Sequence, residues 1–250
     1  MSHSEQRATT GVRAALRALL GATRLRKVLF TIGVLLALLG GSAAVLPPLL
    51  WGDHADYSHV ASIEATREYQ DPALLAKAWA LPVASLYRKQ IEYQGNPSFC
   101  GPTSLVNVMH SLQLSADQRT VLEGSGRSTV FGLLLGGIRL DDLAELARKR
   151  LGKRVTVHRE LDLPGFREQL QHVNDPSRRY IVNFSRGPLF GRGGGHHSPI
   201  AGYLADEDLV LVLDVNRKYG PWLVKPERLY QAMNTFDRGA EKKRGLLLIE

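Results

Sequence analysis

Apolar residues recur at helical spacing in two stretches of the chain. From Cys100 to Leu112 they fall at Leu105, Val108, Met109 and Leu112, the three-and-four period of a helix with one buried face. Leu140–Leu151 (LDDLAELARKRL) repeats the pattern, with acids in its first turn and bases in its last, as the helix dipole favours. Pro164–His172 predicts a third helix. Shorter apolar runs predict strands at Val155–Val157, Tyr180–Phe184 (YIVNF), Ser198–Leu204 and Leu209–Asp214, the last two joined by the turn Ala205-Asp206-Glu207. The glycine-rich stretches Gly124–Gly137 and Gly191–Gly195 read as loops. Helices first and strands late predict an α+β domain, not a doubly wound sheet. It is placed at 81–250, after a polar lead-in at 51–80 with a short helical pattern around SIEATREY.

One apolar run is too long for a strand. Val28 to Gly52 carries no charged residue, and about 20 apolar residues suffice to cross a bilayer as a helix. Before it, residues 1–27 hold six bases against Glu5, a net charge of +5. A basic flank before an apolar core predicts a cytoplasmic N-terminus. The segment reads as an uncleaved signal anchor at 28–50, or as a signal peptide cut near Ser42-Ala43-Ala44. A buried helix of a soluble domain would leave the charge asymmetry as coincidence. Either membrane reading exports the remainder, to the periplasmic side of an inner membrane or to the soluble periplasm.

Composition then changes the picture in two places. The whole chain of 250 residues has 32 Lys and Arg against 24 Asp and Glu, a net +8, which taken alone points to nucleic acid or a membrane surface. Removing the +5 of the basic lead leaves +3, so the nucleic-acid reading loses its support. Cys100 is the sole cysteine, which excludes an intramolecular disulfide framework and any Cys-rich metal module.

That cysteine opens a predicted helix, where the dipole and free amides lower a thiol's pKa. Gly101 after it would let a substrate carbonyl approach, and Pro102 suits a first helical turn. A cysteine nucleophile needs an imidazole base, and the imidazole needs a carboxylate. Gly195-His196-His197-Ser198-Pro199 and Leu213-Asp214-Val215 supply them. With the hairpin centred on Ala205, His196 falls directly opposite Asp214 on one face. His197 then points to the other face and reads as a surface or packing residue, and the His-His pair makes a poor metal site. Gln94 is a candidate to join the Cys100 N–H in an oxyanion hole. The glycines before His196 are no phosphate loop, because no Gly-Lys-Ser/Thr follows.

Taken in order, several short motifs resemble the phytochelatin synthase family, in its short prokaryotic form without a Cys-rich C-terminal domain. They are Phe99-Cys100-Gly101-Pro102-Thr103-Ser104-Leu105, then Gly195-His196-His197-Ser198-Pro199-Ile200-Ala201-Gly202-Tyr203. Asp214-Val215-Asn216-Arg217, Met233-Asn234-Thr235-Phe236-Asp237 and Arg244-Gly245 follow. The resemblance implies a papain-like fold with Cys100, His196 and Asp214 as a triad and Gln94 as oxyanion donor. It also implies Arg217 as a substrate contact, with Gly101 and Gly195 lining the substrate site. The implied activity is that of a glutathione gamma-glutamylcysteinyltransferase. Cys100 cleaves the Cys–Gly bond of glutathione, and water or a second glutathione takes the γ-glutamylcysteinyl group, hydrolysis being the stronger outcome in short members. No cofactor and no protein metal site are implied, Cd²⁺ or Zn²⁺ entering as a thiolate complex of glutathione. The expected partners are glutathione, the membrane through residues 28–50, and a second copy in a homodimer. The chain departs from the family at His197, where an aromatic is usual, and in the shortened run Lys218-Tyr219-Gly220-Pro221-Trp222. The alternative is a papain-like cysteine peptidase of the bacterial leader-processing type.

Overall fold

The computed structural model describes residues 31–32, 56–87, 91–127, 129–130 and 132–250. The chain divides into two compact units, Met1–Gly52 and Asp53–Glu250. Of the first, only Thr31 and Ile32 are described, and they are helical. The anchor expected at 28–50 otherwise lies outside the described residues. Among the described residues no helix is long and apolar enough to cross a membrane.

The second unit is α+β. Its helices are α1 (Pro72–Trp79), α2 (Pro82–Tyr87), α3 (Cys100–Ser111), α4 (Leu140–Leu151), α5 (Leu163–Gln171), α6 (Gly187–Phe190) and α7 (Pro226–Met233). Strands β1 (Val155–His158), β2 (Arg179–Ser185), β3 (Gly195–Leu204), β4 (Leu209–Leu213), β5 (Pro221–Val224) and β8 (Gly245–Ile249) form one sheet. Its order is β1-β8-β2-β3-β4-β5, and every neighbouring pair is antiparallel. Two short strands, β6 (Phe236–Asp237) and β7 (Lys242–Lys243), make a separate hairpin.

Local chemistry sets the helix ends. Asp71 caps α1, its Oδ1 accepting from the amides of Ala73 and Leu74 at 2.9 Å each, with Pro72 in the first turn. Gly152 closes α4 in the left-handed conformation at φ +60°, which glycine adopts without a Cβ penalty. Asp162 caps α5 through Gly165. Apolar side chains bury on both faces of the sheet. Ile181, Ala201, Leu211 and Leu213 pack with α1–α4, whereas Tyr180, Val182, Phe184, Ile200 and Trp222 pack with α5–α7. Residues 56–80, read as a polar lead-in, are part of this packing: Ile63, Tyr69 and Ala78 are buried.

The β3–β4 register differs from the expected one. Leu204 pairs with Leu209 and Tyr203 with Val210, so the turn is centred later than Ala205. An irregularity between Ile200 and Gly202 then shifts the ladder, and Ile200 pairs with Val212. The extra residue, Ala201, restores the parity that the later turn had broken. Extending that register places Ser198, not His196, opposite Asp214. His196 and Asp214 still share a face as diagonal neighbours, a separation long side chains span.

Candidate active site

Cys100 is the first residue of α3, and every other α3 residue except His110 is buried. Phe99 is the N-cap but makes no side-chain capping bond, and Pro102 has no N–H to offer. No side-chain cap therefore claims the amides of Cys100 and Gly101, which point out of the helix start as anion donors. Ser104 Oγ donates to the Cys100 carbonyl at 2.7 Å. The sulfur itself faces β3.

His196 and Asp214 meet by their side chains, with 3.0 Å between His196 Nε2 and Asp214 Oδ1. That leaves His196 Nδ1 as the ring nitrogen available to a thiol. Asp214 is 1% exposed and accepts three further bonds. Arg186 Nη2 and the Asn216 amide donate to Oδ1 at 2.8 and 2.9 Å, and Trp222 Nε1 donates to Oδ2 at 3.2 Å. Burial works against its ionisation, but His196 and Arg186 hold the carboxyl well below the usual carboxylate range. For His196, burial and Arg186 oppose protonation, yet Asp214 and the Cys100 thiol raise its pKa above the ordinary imidazole value. Burial likewise opposes a thiolate at Cys100. Hydrogen bonds from His196 and His197 nevertheless bring it well below an ordinary thiol.

His197, expected as a surface or packing side chain, is buried and not at the surface. It is 4% exposed, and its Nδ1 lies 3.8 Å from Cys100 Sγ. Strand alternation holds: His196 packs edge-on against Phe184, whereas His197 pairs with Asn183 on β2. The reach of both rings follows from the sheet edge. β3 pairs with β4 only as far as Ile200, so Gly195–Pro199 present an open edge, and a thiol entering there is reached from both faces.

Gln94 sits beside this group. Its amide N–H donates to Val215 O at 2.8 Å, next to Asp214, and Gln118 ties the flanking Gly95 amide to Thr103 of α3. The Gln94 side chain donates from Nε2 to Asn96 O at 3.0 Å, leaving one N–H of that amide unused and its buried Oε1 without a partner among the described residues. Arg217 is exposed, and its guanidinium lies over the Tyr93 ring at 4.5 Å. Gly101 serves packing, not the approach of a substrate carbonyl: a Cβ there would collide with Ile138 Cγ2. Gly195 makes room for a guanidinium, since its Cβ would lie 3.0 Å from Arg244 Nη1.

Three residues that sequence reasoning missed complete the group. Arg186 backs Asp214 from a box of rings, with its Cζ 3.9 Å from the Tyr219 centroid and 5.4 Å from that of Phe190. Trp222 is the second backing donor. Asn183 donates to His196 O at 3.1 Å. Trp222 ends the family run Lys218-Tyr219-Gly220-Pro221-Trp222, without a role attached, and Asn183 left a mark of its own: a polar amide within the apolar run YIVNF must find partners if that strand is buried. Asn183 Oδ1, Arg186 Nη1, His197 Nε2 and Ser198 Oγ are buried without hydrogen-bond partners among the described residues. Among those residues no group of three or more His, Cys, Asp or Glu side chains is placed to hold a metal ion.

The family model for phytochelatin synthase matches residues 69–246. The chain belongs to the phytochelatin synthase family. Among curated relatives, glutathione gamma-glutamylcysteinyltransferase 3 of Lotus japonicus is 34% identical over 170 residues, covering 62% of this chain and 35% of that protein. The glutathione gamma-glutamylcysteinyltransferase of Schizosaccharomyces pombe is 25% identical over 175 residues, covering 65% and 42%. The chain thus spans about a third of the length of the first of these phytochelatin synthase relatives. Among solved structures, a putative C39-like peptidase from Bacillus anthracis superposes with TM-score 0.46 at 13% identity, covering 66% of this chain and 96% of that one. A likeness of that extent carries no argument about chemistry.

Proposed function

We propose that this chain cleaves the Cys–Gly bond of glutathione by thiol acyl-enzyme catalysis, with water as the main acceptor and a second glutathione as the other. The observation that carries this reading is the buried thiol at an uncapped helix start, 3.8 Å from the His197 ring, with the adjacent His196 backed by the buried Asp214 carboxylate and acting on the same thiol. Membership of the phytochelatin synthase family supplies the substrate class.

The Cys100 thiolate attacks the carbonyl carbon of the Cys–Gly bond. The Cys100 amide and the remaining Gln94 N–H stabilise the oxyanion, whose charge needs donors placed before it forms. His196, protonated and oriented by Asp214, gives its proton to the leaving glycine nitrogen. Glycine departs and a γ-glutamylcysteinyl thioester remains on Cys100. His196 then takes a proton from water or from the α-amine of a second glutathione, which attacks the thioester and restores the thiolate. The unpartnered Asn183 Oδ1 and Ser198 Oγ are positions for the polar groups of a peptide substrate, and the exposed Arg217 is a position for its carboxylate. Metal ions enter with the substrate, as glutathione thiolate complexes.

Residues 28–50 are proposed as the anchor that keeps the catalytic unit on the exported side, on the strength of the basic lead and the charge-free run. A mass measurement of the mature chain tests this: loss of residues before about Ala44 would replace the anchor with a cleaved signal.

The activity is tested by incubating the purified full chain with glutathione and following free glycine. Release that disappears with Cys100→Ala supports the reading. Absence of glycine release under reducing conditions, with cleavage of ordinary peptides instead, would replace it with a peptidase.

A further inference from the structure

We infer that His197 is a second catalytic imidazole, donating Nδ1–H to the Cys100 thiolate alongside His196. The inference deepens the proposed activity and rests on it only for its consequence, since the contact itself is read without substrate. Four observations carry it. His197 Nδ1 is 3.8 Å from Cys100 Sγ, a hydrogen-bond separation for sulfur. The ring is almost fully buried, so water does not compete for that nitrogen. His197 Nε2 is buried with no hydrogen-bond partner among the described residues, so no protein group draws the ring's proton to that nitrogen. Finally, the open edge of β3 below Ile200 lets rings from both sheet faces reach one sulfur.

The two histidines are not equivalent. His196 has a carboxylate behind it, and Arg186 and Trp222 hold that carboxylate in turn. It is equipped to gain and lose a proton during the reaction. Among the described residues His197 has no carboxylate behind it. A neutral imidazole protonated at Nδ1 satisfies its environment if the thiolate accepts from Nδ1 and a substrate N–H later fills Nε2. The titratable groups bearing on the thiol are His196 and His197 on β3, with Asp214 and Arg186, from the end of β2, acting through His196. On α3 the neighbouring polar group is Ser104, which is engaged with the Cys100 carbonyl. His197 therefore keeps the nucleophile ionised at lower pH than His196 alone does, and it leaves the proton shuttle to His196.

The test is iodoacetamide alkylation of Cys100 across pH on the full chain, with thiolate absorbance near 240 nm read in parallel. His197→Phe keeps a ring of similar bulk and removes the donor. The midpoint is expected to rise by about one pH unit, with a roughly tenfold slower alkylation below it and an unchanged thermal melt. An unmoved midpoint in a folded variant overturns the inference. If His197→Phe does not fold, ¹⁵N-histidine spectra of the wild-type chain decide. An Nδ1–H signal from His197 that moves on alkylation of Cys100 supports the contact. An Nε2–H tautomer insensitive to alkylation overturns it. None of these readouts needs glutathione, so a failure here is separable from a failure of the proposed activity.

Discussion

Asp214→Asn perturbs two things at once, and the structure separates them. The carboxylate is the counterion of Arg186, whose side chain is 8% exposed against 0% for Asp214. Removing one partner of a buried ion pair costs about 3–5 kcal/mol, because the other charge stays buried. For a unit of this size that is roughly 6–20 °C in Tm, at about 2–4 °C per kcal/mol. The amide keeps its oxygen at the Oδ1 position, where His196, Arg186 and the Asn216 amide all donate, and turns its NH2 toward Trp222 Nε1. His196 then keeps Nε2–H on a neutral acceptor and loses the negative charge that stabilises its cation. A large loss of glycine release is expected, because the ring no longer holds a proton for the leaving group. Adding Arg186→Met removes the stranded charge and places an apolar chain among Tyr219, Phe190 and Phe184. The double variant should regain most of the lost stability and none of the activity. The assay is a thermal or urea melt paired with glycine release for the wild type, the single variant and the double variant. A single variant as stable as wild type, or a double variant that recovers turnover, would refute the reasoning.

Other expectations follow from the same geometry. His196→Gln should raise the alkylation midpoint of Cys100, since that imidazole lowers the thiol; a midpoint left in place would remove His196 from the thiol's environment. Because the folded Asp214 carboxyl is depressed, its stabilisation is fully present above about pH 3.9 and is lost as pH falls through the folded value. His196 is raised, so its contribution is complete below about pH 6.5 and is lost as pH rises through its folded value. Melts across pH should therefore fall on both sides, and Asp214→Asn should flatten the acid side. Gly101→Ala drives a methyl into Ile138 and should cost about 1–3 kcal/mol, relieved by Ile138→Ala, as paired urea melts would show. Trp222→Phe loses one donor to Asp214, worth about 1.5–3 kcal/mol for a charged acceptor, read in the same melts.

What was legible in the sequence is what is local. Leu140–Leu151 was bounded correctly because its acids, bases and apolar stripe agree. Cys100 was placed at a helix start by the turn chemistry around it. The insertion of β8 between β1 and β2 left no local trace, because pairing partners far apart in the chain are chosen by packing. Helix α1 was passed over although Asp71-Pro72 is a capping signal. His196 and Asp214 were joined for a reason only partly right: the turn was misplaced, and the irregularity at Ala201 compensated. Arg186 reaches Asp214 through tertiary packing alone, whereas Trp222 on β5, opposite Val212, is a diagonal cross-strand neighbour of Asp214, a relation visible only once that strand pair is placed. His197 leaves β3 on the face opposite His196, as alternation requires, but alternation does not state how near a side chain at a strand edge comes to Cys100.

The central claim is that Cys100 is the nucleophile in cleavage of the Cys–Gly bond of glutathione. The most direct measurement is mass spectrometry of the full chain quenched during incubation with glutathione, with free glycine counted in the same samples. The account predicts a γ-glutamylcysteinyl adduct on the Cys100 peptide, glycine released in step with its formation, and neither with Cys100→Ser. Glycine released by Cys100→Ser at the wild-type rate, or release from wild type with no adduct on Cys100 at any time, would contradict it.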